Sequence, residues 1–518
     1  MPGALLNLIT SGVENVLLNG NPTKSFFKVT YAKYTNFGMQ RFRLDYTGAT
    51  TLHLNESSKY SFTIPRYGDL LMDTYFAINL PDIYSTSGYL PRKYKFQWIE
   101  YIGTEIIEEV EVQAGGQTLQ KISGTAINLM AHRDVSSKKL LYDEMIGHRL
   151  ELYNPEFAQG NNGYYPHADY HHEEEGVANP EPSIKGTTLY VPLPFWFCQA
   201  SSQAFPLIAL QYTELKIVLK LRPIKDLFTI CDLSGNRLKP NFNDASEGFH
   251  RFTQVPPENE NLYQTYSTNM IDFGIHLISN YIFLTQEENN ALVAKPLTYL
   301  MKDTYETTFH DLVGFNKIRT NSNSLVTSWI WAFRRSDATN RNAWSNFTNW
   351  EYKTKDLVEL ISEDYGRRPV VDDKYIREIM KSASIVIDGK ERENTFASGI
   401  YKYIAPYNQS YGSAITYLPY MYFYNFCLDT MPNKVQPSGA FNFSQFSKTE
   451  LEVTLHTPTK VSDPTIQNVQ CDPVTGAIIS FTKNVSSLYE YTYDMLFVEE
   501  RYNQLIVTNG LCSLKFAR

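Results

Sequence analysis

Two stretches of the chain echo one another, and the echo limits what the chain can fold into. Phe195-Trp196-Phe197-Cys198 leads on to Thr213-Glu214-Leu215-Lys216-Ile217-Val218-Leu219, and Tyr424-Asn425-Phe426-Cys427 leads on to Thr449-Glu450-Leu451-Glu452-Val453-Thr454-Leu455. The two Thr-Glu-Leu starts lie 236 positions apart (449 minus 213), close to half of the 518 residues. Each copy reads as an aromatic strand ending in Phe-Cys, then a turn-rich loop, then a strand of alternating character. Period-two alternation puts Leu215, Ile217 and Leu219 on one face, and Leu451, Val453 and Leu455 likewise. A β motif met twice at this spacing predicts two similar β domains in tandem.

Length agrees with that reading, because a single core stops growing at roughly 250–300 residues. Aromatics make up 14% of the chain, with 37 Tyr and 30 Phe, and such residues favour strands. Charged residues at 20% and hydrophobic residues at 43% describe a globular chain rather than a disordered one. The net charge of −8 disfavours nucleic-acid binding, which needs a basic surface to displace counterions. Cys198, Cys231, Cys427, Cys471 and Cys512 show no CxxC spacing and read as buried, reduced thiols. No segment reaches the roughly 18–20 apolar residues of a membrane span. The N-terminus lacks the basic region of a signal peptide.

Along the chain, residues 1–25 read as an arm with helical apolar spacing, closed by Asn19-Gly20-Asn21-Pro22. It has no Lys or Arg among its first 20 residues, which favours docking on protein over anionic lipid. A first domain spans 26–222, with strands at 105–113, 188–197 and 209–221 and a long exposed loop over 154–183. Residues 223–265, rich in Pro, Asn, Asp and Gly, read as a linker. A second domain spans 266–518. It opens with a strand pair over 270–283 and a short helix over 287–301. Strands follow at 324–333, 383–388, 399–404 and 420–428, with an inserted hairpin or loop over 458–484. The fold class is all-β: two β-sandwiches with long loops and a few short helices.

Motifs that carry chemistry are sparse. There is no P-loop GxxxxGK[ST], no GxSxG elbow and no GxGxxG after a strand. His167, Asp169, His171, His172, Glu173, Glu174 and Glu175 are the densest set of metal-ligand types, but they sit in a Gly/Asn/Pro-rich stretch without HExxH spacing. They read as a solvated loop, and no metal or cofactor is expected. Glu105, Glu108, Glu109 and Glu111 read as a solvent-facing set. Trp329 and Trp331, followed by Arg334-Arg335, suit either a stacking platform or a sandwich core, and aromatic dominance of such cores favours the second. Sequons stand at Asn55, Asn346, Asn408, Asn442 and Asn484, with Asn442 read as structural. No catalytic residue is assigned.

Several segments, in order along the chain, resemble the major capsid proteins of nucleocytoplasmic large DNA viruses. They are Gly20-Asn21-Pro22 with Ser25-Phe26-Phe27-Lys28 and Tyr34-Thr35-Asn36-Phe37; Ile64-Pro65-Arg66-Tyr67-Gly68-Asp69-Leu70-Leu71; and the Gly115-Gly116-Gln117 turn. Next come Leu189-Tyr190-Val191-Pro192-Leu193-Pro194 and Phe205-Pro206-Leu207-Ile208-Ala209-Leu210. The sharpest is Gln436-Pro437-Ser438-Gly439-Ala440-Phe441-Asn442-Phe443-Ser444, and Tyr502-Asn503-Gln504-Leu505-Ile506-Val507 with Gly510-Leu511 ends the series. The resemblance implies two eight-stranded jelly rolls per chain and a non-enzymatic coat subunit. It implies a homotrimer forming a pseudo-hexagonal capsomer, and an icosahedral virion shell over an internal membrane that the chain does not span. Neighbouring capsomers, minor capsid proteins and penton proteins would be its partners, and the host cytoplasm its place of assembly. The rival reading is a carbohydrate-binding or carbohydrate-cleaving protein of two β-sandwiches.

Overall fold

The structure is a computed structural model. It describes residues 3, 5, 12–48, 51–86, 94–158, 160–169, 171–173, 176–178, 180–231, 237–240, 247–256, 270–350, 376–412, 420–458, 468–471, 478–482 and 491–516. Sixteen strands build two sandwiches, and they fall into two runs of eight. The first run is β1 (Phe37–Leu44), β2 (Ser58–Thr63), β3 (Leu70–Leu80), β4 (Ile107–Ala114), β5 (Gln117–Ile122), β6 (Thr187–Pro192), β7 (Leu215–Leu221) and β8 (His276–Leu284). The second is β9 (Leu297–Leu312), β10 (Phe315–Thr320), β11 (Leu325–Arg335), β12 (Met380–Ile387), β13 (Lys390–Ala397), β14 (Met421–Asn425), β15 (Thr449–Leu455) and β16 (Tyr493–Thr508).

Both runs are wired alike. The first pairs as β1-β8-β3-β6 and β2-β7-β4-β5, the second as β9-β16-β11-β14 and β10-β15-β12-β13. Each strand's twin therefore lies eight strands further on, and each unit is an eight-stranded jelly roll of two faces, one of them extended by short extra strands: Phe205–Pro206 on β3 in the first unit, Phe441–Asn442 on β11 and Leu511–Leu514 on β16 in the second. Even the irregularities match. On β3, Asp73 is squeezed out between Met72, facing Asn280, and Thr74, facing Ser279. On β11, Thr327 is squeezed out between Val326, facing Arg501, and Ser328, facing Glu500. These are equivalent β-bulges, and Asp73 takes a positive φ of 26° at its own.

The repeated Thr-Glu-Leu does fall on twin strands, β7 and β15. Its letters are out of step, however. Leu215 faces Ala114, the last residue of β4, whereas Thr449 faces Ile387, the last residue of β12. Leu215 is thus the structural partner of Thr449, two residues off the sequence match. A shift of two keeps the same face inward, so the pattern survives. The Phe-Cys half of the echo is not a strand in the first copy: Pro192 and Pro194 end β6, and Trp196–Cys198 forms a 3-10 turn.

Four other expectations are corrected. The second domain does not start at 266, because β8 hydrogen-bonds to β1 and β3 and completes the first jelly roll. The stretch 223–265 is no free linker, since Phe228–Cys231 pairs with Lys95–Trp98, and Phe249 and Phe252 are buried against Phe96. Its polar composition hides a few aromatic anchors. The predicted helix over 287–301 ends early: helix α2 spans Gln286–Val293, and beyond Pro296 the chain runs as β9. The predicted strand over 399–404 is a π-helical turn, Ile400–Ile404. Within the expected loop 154–183, Tyr165 is buried and donates a hydrogen bond to the Phe96 carbonyl oxygen (2.8 Å). The 458–484 insertion contains a hairpin of Asn468–Cys471 and Ile478–Thr482.

Candidate functional site

The two jelly rolls meet along a buried seam. On β11, Trp329, Trp331 and Phe333 point into the second sandwich core, while Ile330 and Ala332 point the other way, into the core shared with the first unit. Met421, Phe423 and Val498 join them on that outer face. A strand covered on both sides loses the polar alternation of a half-exposed one, which is why Val326–Phe333 reads as an unbroken apolar-and-hydroxyl run. Trp329 and Trp331 are therefore core residues. The Trp329 Nε1–H donates to Glu499 Oε2 (2.7 Å), and its ring stacks on Phe443.

Helix α1 (Gly124–Asp134) enters this seam from the first unit. Ser123 caps it by accepting from the Ala126 N–H (3.1 Å), and the Ser123 N–H itself donates to Glu306 of β9 (2.7 Å). At the other end Arg133 is fully buried. Its guanidinium forks onto Glu500 (Nη1 to Oε2 2.6 Å, Nη2 to Oε1 3.0 Å) and onto Asp134 (Nε to Oδ1 2.8 Å, Nη2 to Oδ2 2.7 Å). Nη1 also donates to Ser328 Oγ (2.9 Å). Burial opposes charge on Glu500, yet the guanidinium of Arg133, with Lys302 and the Ser328 hydroxyl, holds its carboxyl down to about 2. The Gly412 N–H donates to the Arg133 carbonyl oxygen (2.6 Å), and a Cβ on Gly412 would stand 1.9 Å from the His132 oxygen. Only glycine lets the second unit approach α1 so closely.

A second anchor runs in the opposite direction. Trp344 of the second unit lies under Arg222 of the first (4.0 Å from guanidinium carbon to ring centre) and donates from Nε1 to the Asp226 oxygen (2.9 Å). The Asn342 amide donates to the Lys225 and Phe228 oxygens (2.7 and 2.8 Å). The stretch read as a linker is therefore part of the joint.

Residues 12–36, ahead of β1, behave in the opposite way. Apart from the half-buried Asn15 they are exposed, with Val13, Leu17, Leu18, Phe26, Phe27, Tyr31 and Tyr34 each at least 87% accessible. The exposed segment thus extends some ten residues beyond the expected end at 25. It carries a run of large apolar side chains far above what an isolated surface usually shows.

The remaining candidates fall apart as sites. Glu105 is fully buried at the end of a short helix. It accepts hydrogen bonds from Thr125 (3.0 Å) and Asn128 (2.9 Å), so it is structural and not solvent-facing. Glu108, Glu109 and Glu111 are half-buried along β4. His167 Nδ1 lies 3.3 Å from the Ser85 oxygen, and His171–Glu173 forms a strand paired with Gly176–Ala178. Glu174 and Glu175 lie outside the described residues. Among the described residues no group of three His, Cys, Asp or Glu is placed to hold a metal ion. The four cysteines whose side chains are described, Cys198, Cys231, Cys427 and Cys512, form no disulfide. Of the sequons, Asn55 and Asn408 are exposed and Asn346 is buried. Asn442 accepts from the Ser444 N–H (3.1 Å), and Asn484 lies outside the described residues. No helix among the described residues is long and apolar enough to cross a membrane.

Two jelly rolls of one wiring, fused through a buried charged joint, define a double jelly-roll coat protein. A family model described as the major capsid protein N-terminus matches residues 25–285, and one described as the large eukaryotic DNA virus major capsid protein matches residues 283–489. The chain therefore belongs to the major capsid proteins of large eukaryotic DNA viruses. The junction between the two matches agrees with β8 closing the first unit. The chain is 30% identical over 345 residues to the major capsid protein of Phaeocystis pouchetii virus, covering 64% of this chain and 58% of that one, so it spans under two thirds of that relative's length. It is 25% identical over 527 residues to the major capsid protein of Paramecium bursaria Chlorella virus 1, with full coverage of both. The Faustovirus major capsid protein shares the fold, with a TM-score of 0.61 at 13% identity over 98% of this chain and 99% of that one.

Proposed function

We propose that three copies of this chain form a pseudo-hexagonal capsomer, and that such capsomers tile an icosahedral shell around an internal membrane the chain does not span. The role is structural, without catalysis. Assembly takes place in the host cytoplasm, with neighbouring capsomers and with minor capsid and penton proteins. The observation that carries this reading is the pair of identically wired sandwiches in one chain. A threefold object with two like units per chain presents six like sectors to a sixfold lattice position.

The exposed segment before β1 is the second support. Its apolar side chains find no cover among the described residues, and they are assigned to neighbouring chains or minor proteins on the interior side of the shell. The test is sedimentation at micromolar concentration, where a species of three times 59.6 kDa is expected and a monomer alone would defeat the proposal. A chain starting at Ser25 should still fold and trimerise but fail to assemble into shells. Unimpaired assembly would mean the arm is dispensable.

A further inference from the structure

The joint inside one chain has an unfilled counterpart elsewhere on the molecule. Inside the chain, a knob from the first unit sits beside the bulge of the second. The knob is the end of α1, where His132 and Arg133 are fully buried, and the socket is Thr327, Ser328 and Glu500. Both halves of that contact have twins. The helix that follows β5 is opened by Ser123-Gly124, and the helical segment that follows β13 is opened by Ser398-Gly399. That segment is the π turn Ile400–Ile404 continuing as α3 (Ala405–Gln409). Eight and nine residues beyond each glycine stand His132 and Arg133 in the first unit, and Tyr407 and Asn408 in the second. The bulge twin is Asp73, with Thr74 in the place of Ser328 and Ser279 in the place of Glu500.

The twins differ in one respect: they are empty-handed. Tyr407 is 88% exposed, and Tyr403 and Ile404 beside it are about half exposed at 48% and 50%. Beside the Asp73 bulge lies a cavity of about 190 Å³, lined by Asp73, Thr74, Ile127, Cys198, by Asp134 at the end of α1 and, from the second unit, by Pro432 among others. An apolar cavity of about 150 Å³ is enough to admit benzene, so this one has room for a phenol ring. The chemistry of knob and socket also changes together. Where Arg133 meets the buried carboxylate of Glu500, the twin socket has Ser279, whose hydroxyl lies 3.1 Å from that of Thr74, and the twin knob is the uncharged Asn408. A buried cation would have no carboxylate at the place of Glu500, and none is supplied.

We propose that residues 403–408 of one copy dock beside the Asp73 bulge of a second copy, with the Tyr407 ring in the cavity, repeating between chains the contact that joins the two units within each. The contact is heterologous: it uses one surface of each unit and the opposite surface of the next. Such contacts close into rings when the rotation allows. This inference rests on the trimer reading, in which three chains supply six units to one ring.

Tyr407→Glu tests it directly. The side chain is exposed in the single chain, so folding is unaffected, but a carboxylate would have to enter a desolvated cavity next to Asp73. The expected result is loss of the three-chain species in sedimentation, with a folded single chain in its place. If the unaltered protein is itself only a monomer, the trimer reading falls and takes this inference with it. If the unaltered protein is a trimer and Tyr407→Glu dissociates no more readily with dilution, the trimer stands and the inference alone is overturned. A second measurement is covalent. Tyr407→Cys combined with Asp73→Cys should give interchain crosslinks with a short bis-maleimide, seen as a ladder on a denaturing gel. Val293→Cys, on the exposed face of α2, combined with Asp73→Cys should give none. Equal crosslinking from both positions, or none from Tyr407→Cys in an intact trimer, refutes the proposed contact.

Discussion

The two jelly rolls share a wiring diagram and even a bulge, yet their flanks are finished differently. The flank of the second unit that receives α1 is closed by a buried ion pair and a glycine contact. The equivalent flank of the first unit is left open, with a cavity edged by the carboxylates of Asp73 and Asp134. Topology therefore sets which surfaces can meet, and a few side chains set which of those meetings is permanent. A fully desolvated Arg133–Glu500 pair suits a contact made once, during folding of a single chain. An uncharged phenol-and-amide knob suits a contact that forms between chains already folded.

The sharpest way to break this comparison is to remove one partner of the permanent joint. Arg133→Ala leaves Glu500 buried without its counter-charge and should lower stability by about 3–5 kcal/mol. Asn408→Ala, its twin, should leave the melting of the isolated chain unchanged. Equal effects on melting would mean that the two flanks are not distinguished in this way. Acid should act on the same pair. Glu500 has its carboxyl lowered from 4.5 to about 2, so its contribution is complete above the unfolded value and is lost as pH falls through the folded one. The stability contributed by the Glu500 charge should be lost between about pH 4.5 and 2, while Asp134 on the same guanidinium, its carboxyl raised by burial, acts in the opposite sense. The variant Glu500→Gln should show a flatter profile over that window. Gly412→Ala should cost about 1–3 kcal/mol, because the added methyl meets the His132 carbonyl and the seam must part. At the small end, Leu17→Ser and Leu18→Ser should stay within about 0.5 kcal/mol in the free chain, since both side chains are already in water. A larger loss would place the segment in a core.

Much of the fold was legible in the sequence because period-two alternation fixes which residues face inward. Leu215, Ile217 and Leu219, and Leu451, Val453 and Leu455 in the second copy of the sequence echo, all lie inside. Signals of period two also misled. Ile400-Tyr401-Lys402-Tyr403-Ile404 alternates like a strand, yet it lies in neither sheet and winds as a π-helical turn that buries Tyr401 and Lys402. The Ser-Gly pairs at 123–124 and 398–399 were the available clue, since both open helices after the fifth strand of a unit. The joint itself was invisible. Arg133 and Glu500 are 367 positions apart, and nothing local marks either as buried. Glu105 was misread for the same reason: it sits in a run of acidic residues, and only its packing against Thr125 and Asn128 withdraws it from solvent.

The doubly covered strand β11 also bears on how the chain is made. Its outer face, with Ile330 and Ala332, is apolar only because the first unit lies against it. Translation delivers the first unit whole, through Leu284, before any strand of the second leaves the ribosome, and domains generally fold as units in that order. The nascent second sandwich then meets its cover already built and need not hold an oily face in water while it waits. Arresting synthesis once Leu284 has cleared the exit tunnel and applying a brief protease pulse should find the first unit resistant. Digestion at that length would mean that the two halves must instead be completed together.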